Sequence, residues 1–327
     1  MIEEMICIKK TGKILGMAGV GFMALKGFQA HKEHRSLSSL MIEETLDTLN
    51  LFPTIHSQED LEQYVSHGCK PFELPEIAKL RYHFKYLKGF DDTLEYVPKE
   101  QTNKVIFYIH GGAYWFEPIT LHYDMLHKLS KKSLARVVMP IYPKAPLHNA
   151  HEATAMVLSR YLHLINDEFV DPANIILMGD SAGAGMALSL LEVMRDREYP
   201  LPGRAVLLSP WLDVSTSNPE MEGIQSSDPL LSIKDLQFQG KVYADTLDTK
   251  DPLVSPIYGD LTNLPPIDVF TGTHDILYAD AEKLGKMAED KDIDLKIHTY
   301  ENMNHVFMVY PIPEARGVVK EIAGLIS

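Results

Sequence analysis

Apolar and polar positions follow two different periods along most of the chain. Short apolar runs, typical of buried strands, are separated by longer stretches in which apolar residues recur at helical spacing. Helical spacing is clear over Ala150–Ile165 and Ala279–Ala288. This alternation predicts an α/β fold, a mostly parallel central sheet flanked by helices. The apolar runs predicted as strands are Val105–Ile109, Val137–Tyr142, Ile175–Met178, Ala205–Leu208, Ile267–Thr271 and Leu295–Thr299.

Two regions do not follow the alternation, namely residues 1–75 and residues 214–250. An antiparallel pair of strands is predicted near Phe84–Val97, at the start of the sheet. Within the first region, Ile14–Leu25 is an apolar run with lysines on both sides. The run is too short to cross a bilayer core of ~30 Å. A helix packed on the body of the protein is favoured, and a membrane-facing helix formed by residues 9–26 is the alternative.

The composition excludes several classes of partner. The 327 residues carry a formal charge of −14, which argues against nucleic acid or an anionic membrane surface as a partner. The two cysteines, Cys7 and Cys69, are too few for a disulfide framework and lack metal-ligand spacing. The chain contains no glycine-rich loop of the nucleotide-binding kinds. The sequence therefore predicts a large, cytoplasmic domain without a metal or other cofactor.

The pentapeptide Gly-Asp-Ser-Ala-Gly at residues 179–183 follows the apolar run that ends at Met178 and precedes a helical stretch rich in small residues. A tight strand-to-helix turn of this kind requires glycine on both flanks, because the backbone packs closely there. It holds the hydroxyl of Ser181 clear of the sheet, at the positive end of the following helix. The pattern alone is weak, but its position between strand and helix favours a nucleophilic serine over a solvated one.

A second motif, His-Gly-Gly-Ala-Tyr-Trp at residues 110–115, follows the predicted strand Val105–Ile109. Two adjacent glycines at a strand end leave backbone N–H groups uncovered by side chains. Such N–H groups stabilise the oxyanion of an acyl-transfer reaction, and one lost donor costs roughly 100- to 1000-fold in rate. An ordinary strand-to-loop turn is the alternative, and the nearby serine motif makes it the weaker one.

The chain resembles the hormone-sensitive-lipase-like α/β hydrolases, the bacterial family IV carboxylesterases. The resemblance runs from about residue 104 to the C-terminus and implies the α/β-hydrolase fold with a helical cap. It also implies an oxyanion hole formed by the N–H groups of Gly111, Gly112 and Ala182. Besides the two motifs above, the matching segments are Leu208–Asp213, Asp251–Pro256, Gly272–Leu277 and Asn304–Phe307.

The chain departs from the family pattern at three places. Ala113 replaces the usual third glycine, and Ala184 replaces the second glycine that opens the helix in many members. The family's Tyr-Arg-x-Ala-Pro-Glu segment corresponds here to Tyr142–Leu147, which has Leu147 in place of the acid. The ion pair that this acid would form is therefore in question.

A serine nucleophile requires a base, and the base requires an orienting carboxylate. In α/β hydrolases these groups follow the serine in the order acid, then histidine. Three histidines follow Ser181, namely His274, His298 and His305. His298 lies within a predicted strand, and His274 precedes any other strand-end carboxylate. His305 lies in a loop after the last strand and is the preferred base.

The preferred acid is Asp275, which follows the strand Ile267–Thr271 at the end where open α/β sheets collect active-site residues. Asp280 is an alternative, but it falls in the first turn of the next helix, where an acid is favoured by the helix dipole. Asp268 lies inside the strand and is the weaker alternative.

These residues predict a serine hydrolase that cleaves carboxylic esters of small molecules, with short-to-medium acyl chains. An amide or formamide hydrolase, or a deacetylase, would use the same triad. A ligand-binding homologue without catalysis is a further alternative, although such proteins usually lose a triad residue. Tyr114 and Trp115 are predicted either to line the substrate pocket or simply to pack beneath the cap. The expected organisation is a cap segment over residues 1–75 and a catalytic domain over residues 76–327, with a second cap segment near 214–250. As an alternative to a purely cytoplasmic location, the protein would associate weakly with a membrane through the N-terminal segment.

Overall fold

The computed structural model describes residues 23–49, 53–68, 71–89 and 92–326. Cys7, Cys69 and most of the apolar run Ile14–Leu25 lie outside these residues. The described strands, in chain order, are β1 Lys85–Leu87, β2 Thr93–Tyr96, β3 Val105–Ile109, β4 Arg136–Pro140, β5 Ile175–Asp180, β6 Arg204–Leu208, β7 Ile267–His274 and β8 Leu295–Asn304.

Helices occupy both faces of the sheet and the regions before and between its strands. The first described helix, α1, covers residues 23–32. It is followed by α2 Leu37–Leu49, α3 Gln58–Gly68, α4 Glu76–Leu80, α5 Thr120–Ser133, α6 Ala150–Asn166, α7 Ala182–Asp196, α8 Met221–Ile224, α9 Ile233–Ala244, α10 Tyr278–Asp290 and α11 Pro313–Ile326.

The eight described strands form one sheet in the order β1-β2-β4-β3-β5-β6-β7-β8. The pairs β1/β2 and β2/β4 are antiparallel, and the pairs from β4 to β8 are parallel. The predicted fold class and the antiparallel start are confirmed. Strands β7 and β8 extend beyond their predicted ends, because pairing continues past an irregularity at Gly272 to join His274 with Asn304.

Both faces of the central strands β3 and β5 are buried, which is why these strands are almost continuously apolar. Successive side chains of a strand point to opposite faces. Accordingly, Val105, Phe107 and Ile109 of β3 belong to one hydrophobic cluster, while Ile106 and Tyr108 belong to the other. The serine, acid and histidine segments all leave the sheet at the carboxyl ends of these parallel strands.

The N-terminal helices are tied to the C-terminal part of the chain by polar contacts. The guanidinium of Arg35 donates to the carbonyl of Asn302 at 3.0 Å, and the N–H of Ser36 donates to Glu314 at 2.6 Å. Arg35 also pairs with Glu43 on α2. Among the described helices, none has the length and apolar character needed to cross a membrane.

Candidate active site

Ser181 lies in the turn between β5 and α7, at the carboxyl end of a central strand. Its φ of 52° and ψ of −123° place it in a region that residues with a Cβ rarely occupy. Its N–H donates to the carbonyl of Leu208 at the end of β6, at 2.8 Å. This bond fastens the strained turn to the neighbouring strand and holds the serine at the edge of the sheet.

Glycine flanks Ser181 because the turn packs against the backbone at the end of β3. A Cβ on Gly183 would lie 2.1 Å from the carbonyl oxygen of Ile109, and one on Gly179 would lie 2.7 Å from the same oxygen. No side chain fits at such distances. The two glycines therefore bring the serine turn next to the loop that follows β3.

Ser181, His305 and Asp275 come together in the structure, although they are far apart in the sequence. Nε2 of His305 lies 2.9 Å from Oγ of Ser181, and Nδ1 of His305 lies 2.8 Å from Oδ2 of Asp275. The other oxygen of Asp275 accepts the N–H of Leu277 at 2.9 Å. With Nδ1 donating to the carboxylate, Nε2 is left as the acceptor that faces the serine hydroxyl.

The alternative bases and acids have other partners. His274 contacts Glu43, and His298 contacts Asp268 at 2.9 Å. Asp280 lies in the first turn of α10, where it accepts a hydrogen bond from the amide of Asn218. His298 also contacts Glu321, and Asp268 also pairs with Arg204. The alternative bases and acids are therefore engaged with partners other than Ser181.

The charges around His305 favour its protonated form. Burial alone lowers the pKa of an imidazole, but the carboxylates of Asp275, Asp228 and Asp180 outweigh it, so the pKa of His305 is raised above its ordinary value. A base with a raised pKa accepts the serine proton more readily, although it must first be neutral.

The loop after β3 has an unusual backbone, with φ of 112° at Gly112, 53° at Ala113 and 66° at Tyr114. The amide of Gly111, the second residue of this loop, donates to Oδ1 of Asp180 at 2.8 Å. The predicted role of the Gly111 N–H as an oxyanion donor does not fit this geometry, because the group is already bonded. Ala182 is the first residue of α7, and the N–H groups of the first turn of a helix have no partner within the helix.

Asp180 joins three parts of the site. Besides the Gly111 amide, Oδ1 accepts the hydroxyl of Tyr108 at 2.6 Å, and Oδ2 contacts Nε2 of His122 at 3.1 Å. Nδ1 of His122 accepts the N–H of Ile119, so Nε2 carries a proton for Asp180. Burial opposes the charge, but the electrostatic attraction of His122 and these hydrogen bonds outweigh it and lower the pKa of Asp180 to about 2.

Tyr114 and Trp115 are buried beneath α9 instead of lining the cavity at Ser181. The ring of Tyr114 stacks on Tyr243 with centroids 3.7 Å apart, and Nε1 of Trp115 donates to the carbonyl of Gln239 at 3.2 Å. The prediction that they line the substrate pocket is therefore wrong, and the packing alternative holds. The positive φ at Ala113 and Tyr114 turns the loop, so that Phe116 faces the cavity in their place.

A cavity of about 310 Å³ opens onto Ser181 and His305. Its walls come from the loop after β3, from the start of α5, and from the segment after β8. The two regions predicted as a cap also contribute. The described residues from those two regions are Asp47, Pro53, Thr54, Asp228, Pro229, Leu230, Leu231, Ser232, Asp235, Leu236 and Gln239.

An ion pair forms in this region although residues 142–147 lack the acidic residue of the family pattern. The ammonium of Lys144 lies 2.7 Å from Oε2 of Glu117 and also over the ring of Tyr142. The hydroxyl of Tyr142 in turn donates to the carbonyl of His110 at 2.8 Å. Glu117, from the loop after β3, therefore supplies the carboxylate that the family pattern places at position 147.

Two residues of the site escaped the sequence analysis. His122 follows the glycine loop closely, but a histidine near a helix start carries no distinctive pattern. Asp228 lies in the second predicted cap segment, and nothing in its spacing connects it to Asp275. Both are recognised only from the contacts that the folded chain makes.

Known proteins resemble this chain over the same region. The α/β-hydrolase fold family matches residues 106–309, so the chain belongs to that family. The α/β-hydrolase fold expected from the motifs is thereby confirmed. Among the residues of the described ranges, no group of histidine, cysteine and acidic side chains could hold a metal ion.

Individual relatives agree with this placement. An esterase from Acinetobacter venetianus is 33% identical over 223 residues, which are 67% of this chain and 73% of the relative. An acetyl-hydrolase from Streptomyces hygroscopicus is 32% identical over 235 residues, or 71% of this chain and 78% of the relative. A crystal structure from Staphylococcus aureus, 27% identical, has a TM-score of 0.80 and covers 86% of this chain and 98% of its own. These relatives support carboxylic ester hydrolysis as the activity.

Proposed function

We propose that this protein is a serine hydrolase that cleaves small-molecule carboxylic esters through an acyl-enzyme on Ser181. The observation that carries the proposal is the chain of two hydrogen bonds, 2.9 Å and 2.8 Å long, from Ser181 through His305 to Asp275. This arrangement, on a strained turn at a helix start, is that of an activated serine nucleophile.

In the first half-reaction, Nε2 of His305 takes the hydroxyl proton while Oγ of Ser181 attacks the ester carbonyl carbon. Asp275 holds the imidazole in position and stabilises its positive charge. The tetrahedral intermediate collapses, the bond to the alcohol oxygen breaks, and His305 gives its proton to the departing alcohol. A water molecule then attacks the acyl-serine with His305 as base, which releases the acid and restores Ser181.

The N–H groups of Gly112, Ala113 and Ala182 are the proposed donors to the oxyanion. Gly111, whose amide donates to Asp180, acts instead by fixing the start of the loop. The positive φ at Gly112 and Ala113 turns successive N–H groups toward one side, as in backbone concavities that bind anions.

Esters with short-to-medium acyl chains are the proposed substrates. The cavity of about 310 Å³ lies at the lower end of the range for small-molecule sites. The name acetyl-hydrolase of the Streptomyces relative also supports a small acyl group. Asp47, Pro53 and Thr54 form one wall of the cavity, and side chains between residues 228 and 239 form another, so the predicted cap would set chain-length preference.

A graded series of p-nitrophenyl esters, from acetate to decanoate, and the matching anilides test the proposal. We expect the highest kcat/KM at the shorter esters and loss of turnover in Ser181→Ala. Peptide mapping after treatment with an organophosphorus probe should place the label on Ser181. Preferred anilide cleavage would favour an amidase, and binding without turnover would favour a ligand-binding homologue.

A further inference from the structure

Asp228 belongs to the segment between β6 and α9, far in sequence from the residues of the triad. Its Oδ1 accepts the N–H groups of Leu230 and Leu231, both at 2.9 Å. Its Oδ2 accepts the N–H of Ile276 at 2.9 Å. One carboxylate therefore links two turns, one of which directly follows Asp275.

Each of the two linked turns has a part in the site. Leu230 and Leu231 line the cavity that reaches Ser181. Asp275, the neighbour of Ile276, bonds to His305. A displacement of the cavity wall would therefore be transmitted through Asp228 to the backbone beside the acid.

We propose that Asp228 is a positioning residue that ties the cavity wall to the Asp275 loop and presents a second negative charge to His305. The proposal rests on the function proposed above, since it assigns Asp228 a part in the work of that triad. Three backbone N–H donors are well suited to an ionised carboxylate.

The charges that face this group come from several elements. On the active-site side, His305 faces Asp275, Asp228 and Asp180. Desolvation, followed by the charge of Asp275, raises the pKa of Asp228, and His305 and the backbone donors oppose that rise. On its other side Asp228 lines a polar cavity of about 290 Å³, together with Glu33, Arg35, Glu43, Glu44, Asp47 and His274.

Many of the charged side chains that line the polar cavity form ion pairs with one another. Arg35 pairs with Glu33 and Glu43, and His274 contacts Glu43. These pairs reduce the field that the cavity exerts on the site, whereas the carboxylate of Asp228 acts on His305 itself. Asp47 lines both cavities but is exposed, and solvent screens its charge.

The test measures the pH dependence of Ser181 labelling by an organophosphorus probe in the full chain. Asp228→Asn removes the negative charge and keeps one acceptor oxygen, whereas Asp228→Ala removes the charge and both acceptor oxygens. In both variants we expect the acidic limb of the labelling rate to move to lower pH. Ester kinetics should show a higher KM in Asp228→Ala than in Asp228→Asn, because the turn at Leu230 loses its acceptor.

Asp47→Asn is the matched control, and its limb should stay at the wild-type position. An unmoved limb in both Asp228 variants would overturn the proposal if thermal melting shows them folded. An equal movement in Asp47→Asn would also overturn it, by showing that any charge at the cavity acts alike. Should Asp228→Ala fail to fold, Asp228→Asn alone decides. If wild-type Ser181 itself takes no label, the proposed function fails instead.

Discussion

Asp180 accepts the N–H of Gly111 at 2.8 Å, which joins the residue before the nucleophile to the loop after β3. A Cβ on Gly111 would lie 2.3 Å from the other oxygen of the same carboxylate, so the two segments are in close contact. The aspartate of the serine motif thus fixes the loop that carries the proposed oxyanion donors.

Asp180→Ala should lower kcat by about 100-fold, the cost of one lost oxyanion donor, because the loop start is no longer held. Asp180→Asn should retain more activity, since its amide oxygen can still accept the Gly111 N–H. Tyr108→Phe is the control: it removes a bond to the same oxygen but leaves Gly111 bound, and should cost only a few-fold. Steady-state ester kinetics on all three measure the effect. A larger loss in Tyr108→Phe than in Asp180→Ala would refute this role.

Asp275→Asn should lower kcat by about 10⁴-fold, as loss of the orienting carboxylate does in the serine-protease triad. Asp280→Asn is the matched control. Asp280 is buried in α10 and bonds to Asn218, so its substitution should leave kcat within a few-fold of wild type. Single-turnover ester hydrolysis would compare the rates of the two variants. A rate of Asp280→Asn as low as that expected for Asp275→Asn would mean that the triad is misassigned.

The rate should rise with pH as His305 loses its proton, because only neutral imidazole accepts the serine proton. The carboxylates around it raise the pKa of His305, so the midpoint should lie above ~6.5, the ordinary value for histidine. The profile of kcat/KM between mildly acidic and alkaline pH measures this midpoint. A flat profile, with chemistry shown to be rate-limiting, would argue against a histidine base.

Gly183→Ala should reduce the free energy of unfolding by about 1–3 kcal/mol, the usual cost of overpacking. Its Cβ would lie 2.1 Å from the carbonyl oxygen of Ile109, which belongs to a strand and cannot easily move. Gly317→Ala in α11 meets nothing within 4 Å and should instead stabilise by about 0.5–1 kcal/mol through helix propensity. Denaturant melts compare the two, and equal effects would mean that the close approach at 183 is absent.

Glu192 of α7 should make stability depend on pH. Burial raises the pKa of its carboxyl to about 9, whereas an unfolded glutamate titrates near ~4.3. The folded state therefore keeps a proton that the unfolded state loses, and stability falls as pH rises from about 4 to about 9. Glu192→Gln should raise the melting temperature increasingly over this window.

The exposed Glu289→Gln on α10 is the control for Glu192, and its melting temperature should track that of wild type at every pH. Thermal melts at intervals between pH 4 and pH 9 provide the comparison. A gain from Glu192→Gln that is independent of pH would show that packing, and not ionisation, is responsible.

Much of the fold follows from local pattern. The predicted strand at Val105–Ile109 agrees with β3, and the predicted helix at Ala150–Ile165 differs from α6 by one residue. Both elements are set by the spacing of their own apolar residues. The ends of β7 and β8 were predicted too early, because the polar residues there continue to pair with each other across the sheet.

The sequence by itself predicted the strands of the sheet and the glycine-flanked turn at Ser181. The order of residues along the chain also predicted the same acid and histidine that the structure brings to that serine. The strands and the turn depend on neighbouring residues. The acid and the histidine could be predicted because the loops that follow parallel strands all lie at the same edge of the sheet. Their catalytic roles stay a proposal.

Only the tertiary structure decided which groups are already engaged. The Gly111 amide bonds to Asp180, Tyr114 turns beneath α9, and Asp228 reaches the loop of Asp275. Each of these contacts joins segments far apart in the chain. Side-chain direction and hydrogen-bond partners across such segments are fixed when the segments dock, and no local spacing encodes them.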